Sequence, residues 1–117
     1  MTLVDTSVWI DHFRNNNIQL KTLLQEGQVF MHSMILGEIA CGNIKNRDEI
    51  LTLLSQLPGV EELSNREVIR FIEQRNLSGK GLGFIDMHLL ASAILSQAEL
   101  FTMDHRLGQM WKKIRIA

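Results

Sequence analysis

Short apolar runs alternate along the chain with longer segments of helical periodicity. Five apolar runs predict strands, at residues 3–4, 29–31, 60–63, 100–102 and 114–116. Segments with apolar residues three and four positions apart predict helices at residues 7–13, 18–25, 34–40, 47–57, 64–76, 84–97 and 104–112. Ser64 and Glu67 have the spacing of a capping box, which supports a helix start at that point.

This strand–helix alternation contains no hairpin signal, so it predicts the α/β class. We expect one domain, residues 1–117, with a parallel sheet flanked by helices on both faces. Sheets of this kind bind ligands beyond the carboxyl ends of their strands. Functional residues are therefore expected just after the strands.

Composition narrows the class of protein further. The chain has 117 residues, of which 45% are hydrophobic, an ordinary balance for a globular domain. Cys41 is the single cysteine, which excludes an internal disulfide and a cysteine-built zinc cage. No signal-peptide pattern and no apolar stretch approaching ~20 residues is present, so we expect no membrane span and a cytoplasmic location.

The net charge of −1 does not by itself indicate a protein that binds nucleic acid. Four of the thirteen acids, however, are candidates for a metal site. Setting these four aside leaves nine acids against twelve bases, or about +3 for the outer surface. Arg106 is among several basic residues near the C-terminus that either contact RNA or are simply solvated.

Four carboxylates occupy unusual places in this pattern. Asp5 and Asp104 follow predicted strands, where each could also be an ordinary helix N-cap. Glu38 and Asp86 lie within apolar helices, so we expect Glu38 to be at least half buried. Burying an unpaired carboxylate costs several kcal/mol.

A salt bridge to an arginine would explain Glu38 alone. Convergence of all four acids would explain the whole pattern, as an oxygen-rich site for Mg²⁺, with Mn²⁺ as a possible substitute. The four histidines show no spacing typical of zinc ligands.

Four sequence blocks carry a resemblance to a known family. They are Met1-Thr2-Leu3-Val4-Asp5-Thr6-Ser7-Val8-Trp9-Ile10, Ser33-Met34-Ile35-Leu36-Gly37-Glu38-Ile39, Gly83-Phe84-Ile85-Asp86-Met87-His88-Leu89-Leu90-Ala91-Ser92-Ala93 and Leu100-Phe101-Thr102-Met103-Asp104-His105-Arg106-Leu107. Together, in this order and at this spacing, they resemble PIN-domain ribonucleases. In its length and in the sequences of its motifs, the chain is most similar to the VapC-type toxins of toxin–antitoxin systems.

This resemblance implies an Mg²⁺-dependent endoribonuclease that cleaves single-stranded or looped RNA. It also implies a catalytic cluster of Asp5, Glu38, Asp86 and Asp104. We assign Asp5, Asp86 and Asp104 as metal ligands, while Glu38 either ligates the ion or positions the attacking water. Thr6, Ser7 and Thr102 are candidate hydrogen-bond partners of these acids, or else capping and turn residues.

The resemblance also implies partners. The predicted helix at 47–57 has a broad apolar face formed by Ile50, Leu51, Leu53, Leu54 and Leu57. We expect this face to contact either a cognate antitoxin protein or a second copy of the chain in a homodimer.

Three other classes of protein have related patterns. A haloacid-dehalogenase-like phosphatase uses a paired Asp-x-Asp after its first strand, where this chain has Asp5-Thr6-Ser7. A receiver-type signalling domain needs adjacent acids there and an aspartate after its third strand. A PIN fold that only binds, without catalysis, is the remaining alternative.

Overall fold

Three short strands form the central sheet of the protein, whose computed structural model describes residues 1–116. The strands are β1 (Thr2–Val4), β2 (Val29–Phe30) and β3 (Glu99–Phe101), in the order β2-β1-β3. Leu3 of β1 pairs with Phe30 on one side and with Leu100 on the other, both in parallel. All three strands therefore end at the same edge of the sheet.

The described residues also form seven helices. They are α1 (Thr6–Asn15), α2 (Ile18–Gln25), α3 (Ser33–Ala40), α4 (Arg47–Ser55), α5 (Asn65–Gln74), α6 (Phe84–Leu95) and α7 (His105–Ile114). The capping box of Ser64 and Glu67 forms as predicted. Within residues 1–116, no helix is both long and apolar enough to cross a bilayer.

Both faces of the sheet are covered. Neighbouring residues of a strand point to opposite faces, and Leu3 and Val4 are each fully buried. Helix α1 packs against α2 and α3, and α3 packs against α4, while α6 and α7 pack on β3. The predicted α/β class with a parallel sheet is confirmed.

The predicted strand at residues 60–63 is wrong. The chain makes a single parallel bridge, between Met31 and Gly59, in which the amide of Val60 donates to the carbonyl of Met31. Beyond Val60 the backbone leaves the sheet, because the amide of Glu61 donates to the side chain of Ser96 instead. A local apolar run cannot reveal that distant partner.

The predicted strand at residues 114–116 is also wrong. Ile114 is the last residue of α7, and Arg115 and Ile116 form a turn after it. Leu107, Trp111 and Ile114 are all buried and lie four and three residues apart, which is the spacing of one helix face. Ile114 and Ile116 are two residues apart, which suggested the alternating pattern of a strand. The buried residues of this segment instead follow the spacing of a helix.

Candidate active site

Asp5 directly follows β1 and begins α1. Its side chain is 8% exposed, and its Oδ1 accepts a 2.8 Å hydrogen bond from the amide of Thr6, which caps the helix. Its own amide donates to the carbonyl of Phe101, the last residue of β3. Asp5 is thus fixed between two parallel strands, where the strand order reverses and ligands commonly bind.

Two hydroxyl groups hold the other oxygen of Asp5. Thr102 Oγ1 donates to Oδ2 at 2.7 Å, and Ser7 Oγ donates to the same atom at 2.9 Å. Each hydroxyl also accepts from the following loop, Thr102 from the amide of Asp104 and Ser7 from the amide of Met103. The loop after β3 is therefore tied to the carboxylate after β1.

Glu38 lies in α3 and faces the same region. Thr6 Oγ1 donates a 2.6 Å hydrogen bond to Glu38 Oε1. The expectation that Glu38 would be at least half buried is wrong, because its side chain is exposed. The helix is anchored by His32, whose Nδ1 accepts from the amide of Met34, so this buried histidine is the N-cap of α3.

Asp86 and Asp104 both lie at helix starts. Asp86 Oδ2 accepts from the amide of Gly83, the residue that precedes α6, at 3.2 Å. Asp104 is the N-cap of α7, and its Oδ1 accepts from the amide of Leu107 at 3.1 Å. Each carboxylate keeps one oxygen outside these capping bonds.

The structure brings all four carboxylates to one cavity of about 390 Å³, which we call the acidic cavity. Its lining consists of Asp5, Thr6, Ser7, Glu38, Gly83, Phe84, Ile85, Asp86 and Asp104. Burial raises the pKa of Asp86, and the hydrogen bond from Gly83 opposes this rise. The negative charges of Asp5, Asp104 and Glu38 raise the pKa of Asp86 further. The other three carboxylates therefore act on Asp86.

The chemistry of the acidic cavity fits a hard cation. Its polar side chains offer only carboxylate and hydroxyl oxygens, which are the donors that Mg²⁺ and Mn²⁺ prefer. Among residues 1–116, no three His, Cys, Asp or Glu side chains stand close enough to share one ion directly. Mg²⁺ usually retains several waters, so a site held partly through water is compatible with this spacing.

Sequence reasoning missed two apolar residues that border the acidic cavity. Phe84 and Ile85 form the first turn of α6, and Phe84 is 41% exposed. The Phe84 ring packs perpendicular to that of His88, with 4.8 Å between centroids. His88 is buried and its Nε2 lies 2.9 Å from Oδ1 of Asn65. The available signal was their position, directly before Asp86.

The fold and the four acids define a class of protein, and comparison with known proteins agrees with it. The model of the PIN domain matches residues 2–113, so the chain belongs to the PIN-domain family. Within that family it is similar to Ribonuclease VapC32 of Mycobacterium tuberculosis, in each of two strains. The identity is 43% over 108 residues, which cover 92% of this chain and 87% of that protein. The resemblance to VapC-type PIN ribonucleases is thereby confirmed.

Proposed function

We propose that this protein is an Mg²⁺-dependent endoribonuclease and the toxin of a type II toxin–antitoxin pair in the bacterial cytoplasm. The observation that carries the proposal is the convergence of Asp5, Glu38, Asp86 and Asp104 on one cavity from four separate segments of the chain. Similarity to Ribonuclease VapC32 supports RNA as the substrate. The enzyme is thus a hydrolase of phosphodiester bonds.

Three carboxylates would hold the ion. Asp5, Asp86 and Asp104 each have one oxygen committed to a helix-capping hydrogen bond, which restricts their orientation toward the acidic cavity. When bound, the ion lowers the pKa of water and offsets negative charge on the phosphate. Ser7 and Thr102 keep Asp5 in place by holding its second oxygen.

Glu38 has a different role. Thr6 donates to Oε1 of Glu38, so Oε2 is the oxygen left to accept a hydrogen bond from the attacking water. A carboxylate in this position orients the water and takes up its proton. The exposure of Glu38 suits this role, because solvent and substrate both reach it.

Incubation of the purified protein with mixed RNA tests the activity. We expect cleavage with Mg²⁺ and none with EDTA. Asp5→Asn should abolish cleavage because it removes ligand charge while preserving shape, whereas Asp48→Asn should not. Asp48 is a matched control, since its side chain is fully exposed in α4 and outside the acidic cavity. Full activity of Asp5→Asn would refute the metal-site assignment, and no cleavage at all would favour a PIN fold that only binds.

The toxin role is tested in cells. Expression of the chain alone should stop growth, and co-expression with the antitoxin encoded beside it should restore growth. Normal growth with abundant folded protein would contradict the proposal. Asp5→Asn is the control here, because a toxin that acts by RNA cleavage must lose its effect with that change.

One apolar groove supports the proposed protein partners. A cavity of about 560 Å³ between α1 and the start of α4 is lined by Ile10, Phe13, Ile44 and Ile50, among others. Leu53 of α4 is 54% exposed, while Leu54 is buried, so only part of the helix's apolar face is free. We propose that the antitoxin or a second copy of the chain covers this region. Light scattering of the chain, alone and with antitoxin, distinguishes the two.

A further inference from the structure

Arg106 packs over a glycine in the loop that leads to α6. Its Nη1 donates a 3.2 Å hydrogen bond to the carbonyl of Gly81. Gly81 has a φ of +78°, in the left-handed region that favours glycine. A Cβ at Gly81 would overlap Nη1 of Arg106 and lie 3.0 Å from its Cζ. The guanidinium therefore occupies space that exists only because residue 81 has no side chain.

This contact places Arg106 beside the acids. Gly81 and Arg106 line a second cavity of about 330 Å³, which we call the arginine cavity, together with Leu82, Asp86, Asp104 and His105. Asp86 and Asp104 also line the acidic cavity, so the two cavities adjoin. A ligand that spans both would pass directly from the carboxylates to the guanidinium.

The charge of Arg106 is not neutralised within residues 1–116. The ion pairs of this part of the chain involve Glu62, Asp48 and Glu99, and no carboxylate lies within 4.0 Å of Arg106. Among the described residues, the one hydrogen-bond partner of its guanidinium is the carbonyl of Gly81, which carries no charge. A guanidinium has five N–H donors in a planar fork, so several remain free. That fork matches the oxygens of a phosphate.

We propose that the arginine cavity binds the phosphodiester next to the one that is cleaved, through the guanidinium of Arg106. The inference rests on the proposed function and adds a substrate subsite to it. An acidic cavity repels the RNA backbone, and a fixed cation at its border offsets that repulsion. Contacts to phosphate set the register of a nucleic acid on a protein. Arg106 thus determines which bond faces the carboxylates.

Salt dependence of RNA binding tests the subsite. The affinity for short single-stranded RNA of mixed sequence is measured in EDTA, which prevents cleavage, over a series of salt concentrations. Loss of one phosphate contact reduces the slope of log affinity against log salt by about 0.7 for single strands. We expect this reduction for Arg106→Gln. Arg106→Lys should keep the slope, because it keeps the charge.

Arg70→Gln is the matched control, since it removes the same charge from an exposed position in α5. It should leave the slope unchanged. If Arg106→Gln cleaves RNA slowly but keeps the wild-type slope, Arg106 only positions the loop and the subsite is refuted. If the wild type cleaves RNA while all three variants bind alike, the subsite fails and the proposed function stands. If the wild type neither binds nor cleaves RNA, both fail.

A second measurement needs no variant. Phenylglyoxal modifies arginine side chains, and mass spectrometry locates the modified residues. Saturating RNA should protect Arg106 in the wild-type protein and leave Arg70 reactive. Equal modification of Arg106 with and without bound RNA would overturn the proposal, even if Arg106→Gln does not fold.

Discussion

Thr102 Oγ1 donates a 2.7 Å hydrogen bond to Asp5 Oδ2, which connects the segments that follow β3 and β1. The same hydroxyl accepts from the amide of Asp104 at 3.0 Å. One side chain therefore sets the orientation of one candidate metal ligand and the backbone position of another. Asp5 and Asp104 lie 99 residues apart in the chain, and hydrogen bonds to this one hydroxyl hold them close together.

Thr102→Val should separate this positioning role from bulk packing. Valine has nearly the shape of threonine but neither donates to Asp5 nor accepts from Asp104. Loss of such a supporting partner typically reduces metal affinity or activity about 10–100-fold. The cost in folding free energy should be about 1–3 kcal/mol, because Asp5 is buried. RNA cleavage rates across an Mg²⁺ titration measure the effect. Thr102→Ser, which keeps the hydroxyl, should retain most activity, and equal rates for wild type and Thr102→Val would contradict the role.

The positions of these two acids at strand ends were easier to predict from the sequence than the number of strands in the sheet. Asp5 and Asp104 could be placed because each directly follows an apolar run, and parallel strands bring their ends together. Glu38 was expected to be buried because its helix neighbours are apolar, such as Ile35 and Ile39, which are fully buried. Glu38 is nevertheless exposed, since a helix buries one face while the acid lies on another. Burial of a single helix face cannot be assigned from composition alone.

The contact between Arg106 and Gly81 could not be predicted at all. Gly79 and Gly81 are glycines of the same short loop, and nothing in the sequence of residues 78–83 distinguishes their roles. The structure does not separate them by backbone conformation either, since both adopt a positive φ. Only the tertiary structure shows that Arg106 of α7 packs on Gly81 and not on Gly79. Features that depend on two distant segments become visible only in the folded chain.

Glu38→Gln should abolish most activity with little effect on stability. Removal of a group that accepts a proton from the attacking water typically costs about 10²–10⁴-fold in rate. Because Glu38 is exposed, the substitution should change the protein's free energy of unfolding by no more than about 0.5 kcal/mol. Single-turnover cleavage and urea unfolding measure the two quantities. A strongly destabilised Glu38→Gln would instead indicate a structural partner for Glu38.

Asp86→Asn should raise the melting temperature of the metal-free protein and abolish cleavage. Burial and the neighbouring carboxylates raise the pKa of Asp86, so the folded protein binds its proton more tightly than the unfolded chain does. Metal-free stability should therefore fall as pH rises from the unfolded pKa of about 4 to the raised folded value, and stay lower above it. The amide variant should lack this fall.

Mg²⁺ should reverse the destabilisation in the wild type. Binding adds about 2.7 kcal/mol at a hundredfold excess over the dissociation constant. Melting curves at several pH values, in EDTA and in Mg²⁺, measure both effects. If Mg²⁺ leaves the melting temperature unchanged and Asp86→Asn melts well below the wild type, Asp86 is a structural acid and not a metal ligand.

Gly79→Ala and Gly81→Ala form a matched pair that isolates the contact with Arg106. Both residues have a positive φ, +71° and +78°, so alanine pays a backbone cost of about 1–2 kcal/mol at either position. A Cβ at Gly79 meets nothing within 4 Å, whereas a Cβ at Gly81 meets the guanidinium of Arg106. Because that guanidinium is the end of a flexible side chain, displacing it should add only a small cost to Gly81→Ala, and this change alone should weaken RNA binding.

A double-mutant cycle shows whether Arg106 causes the difference in stability between Gly81→Ala and Gly79→Ala. Glutamine is shorter than arginine, so Arg106→Gln removes the group that the new Cβ would overlap. Gly81→Ala should then destabilise the Arg106→Gln protein less than it destabilises the wild type, while Gly79→Ala should cost the same in both backgrounds. Urea unfolding of the six proteins gives the coupling free energy directly. Additive effects of Gly81→Ala and Arg106→Gln would show that the two residues do not depend on each other, and that the loop leading to Asp86 is held in place by other contacts.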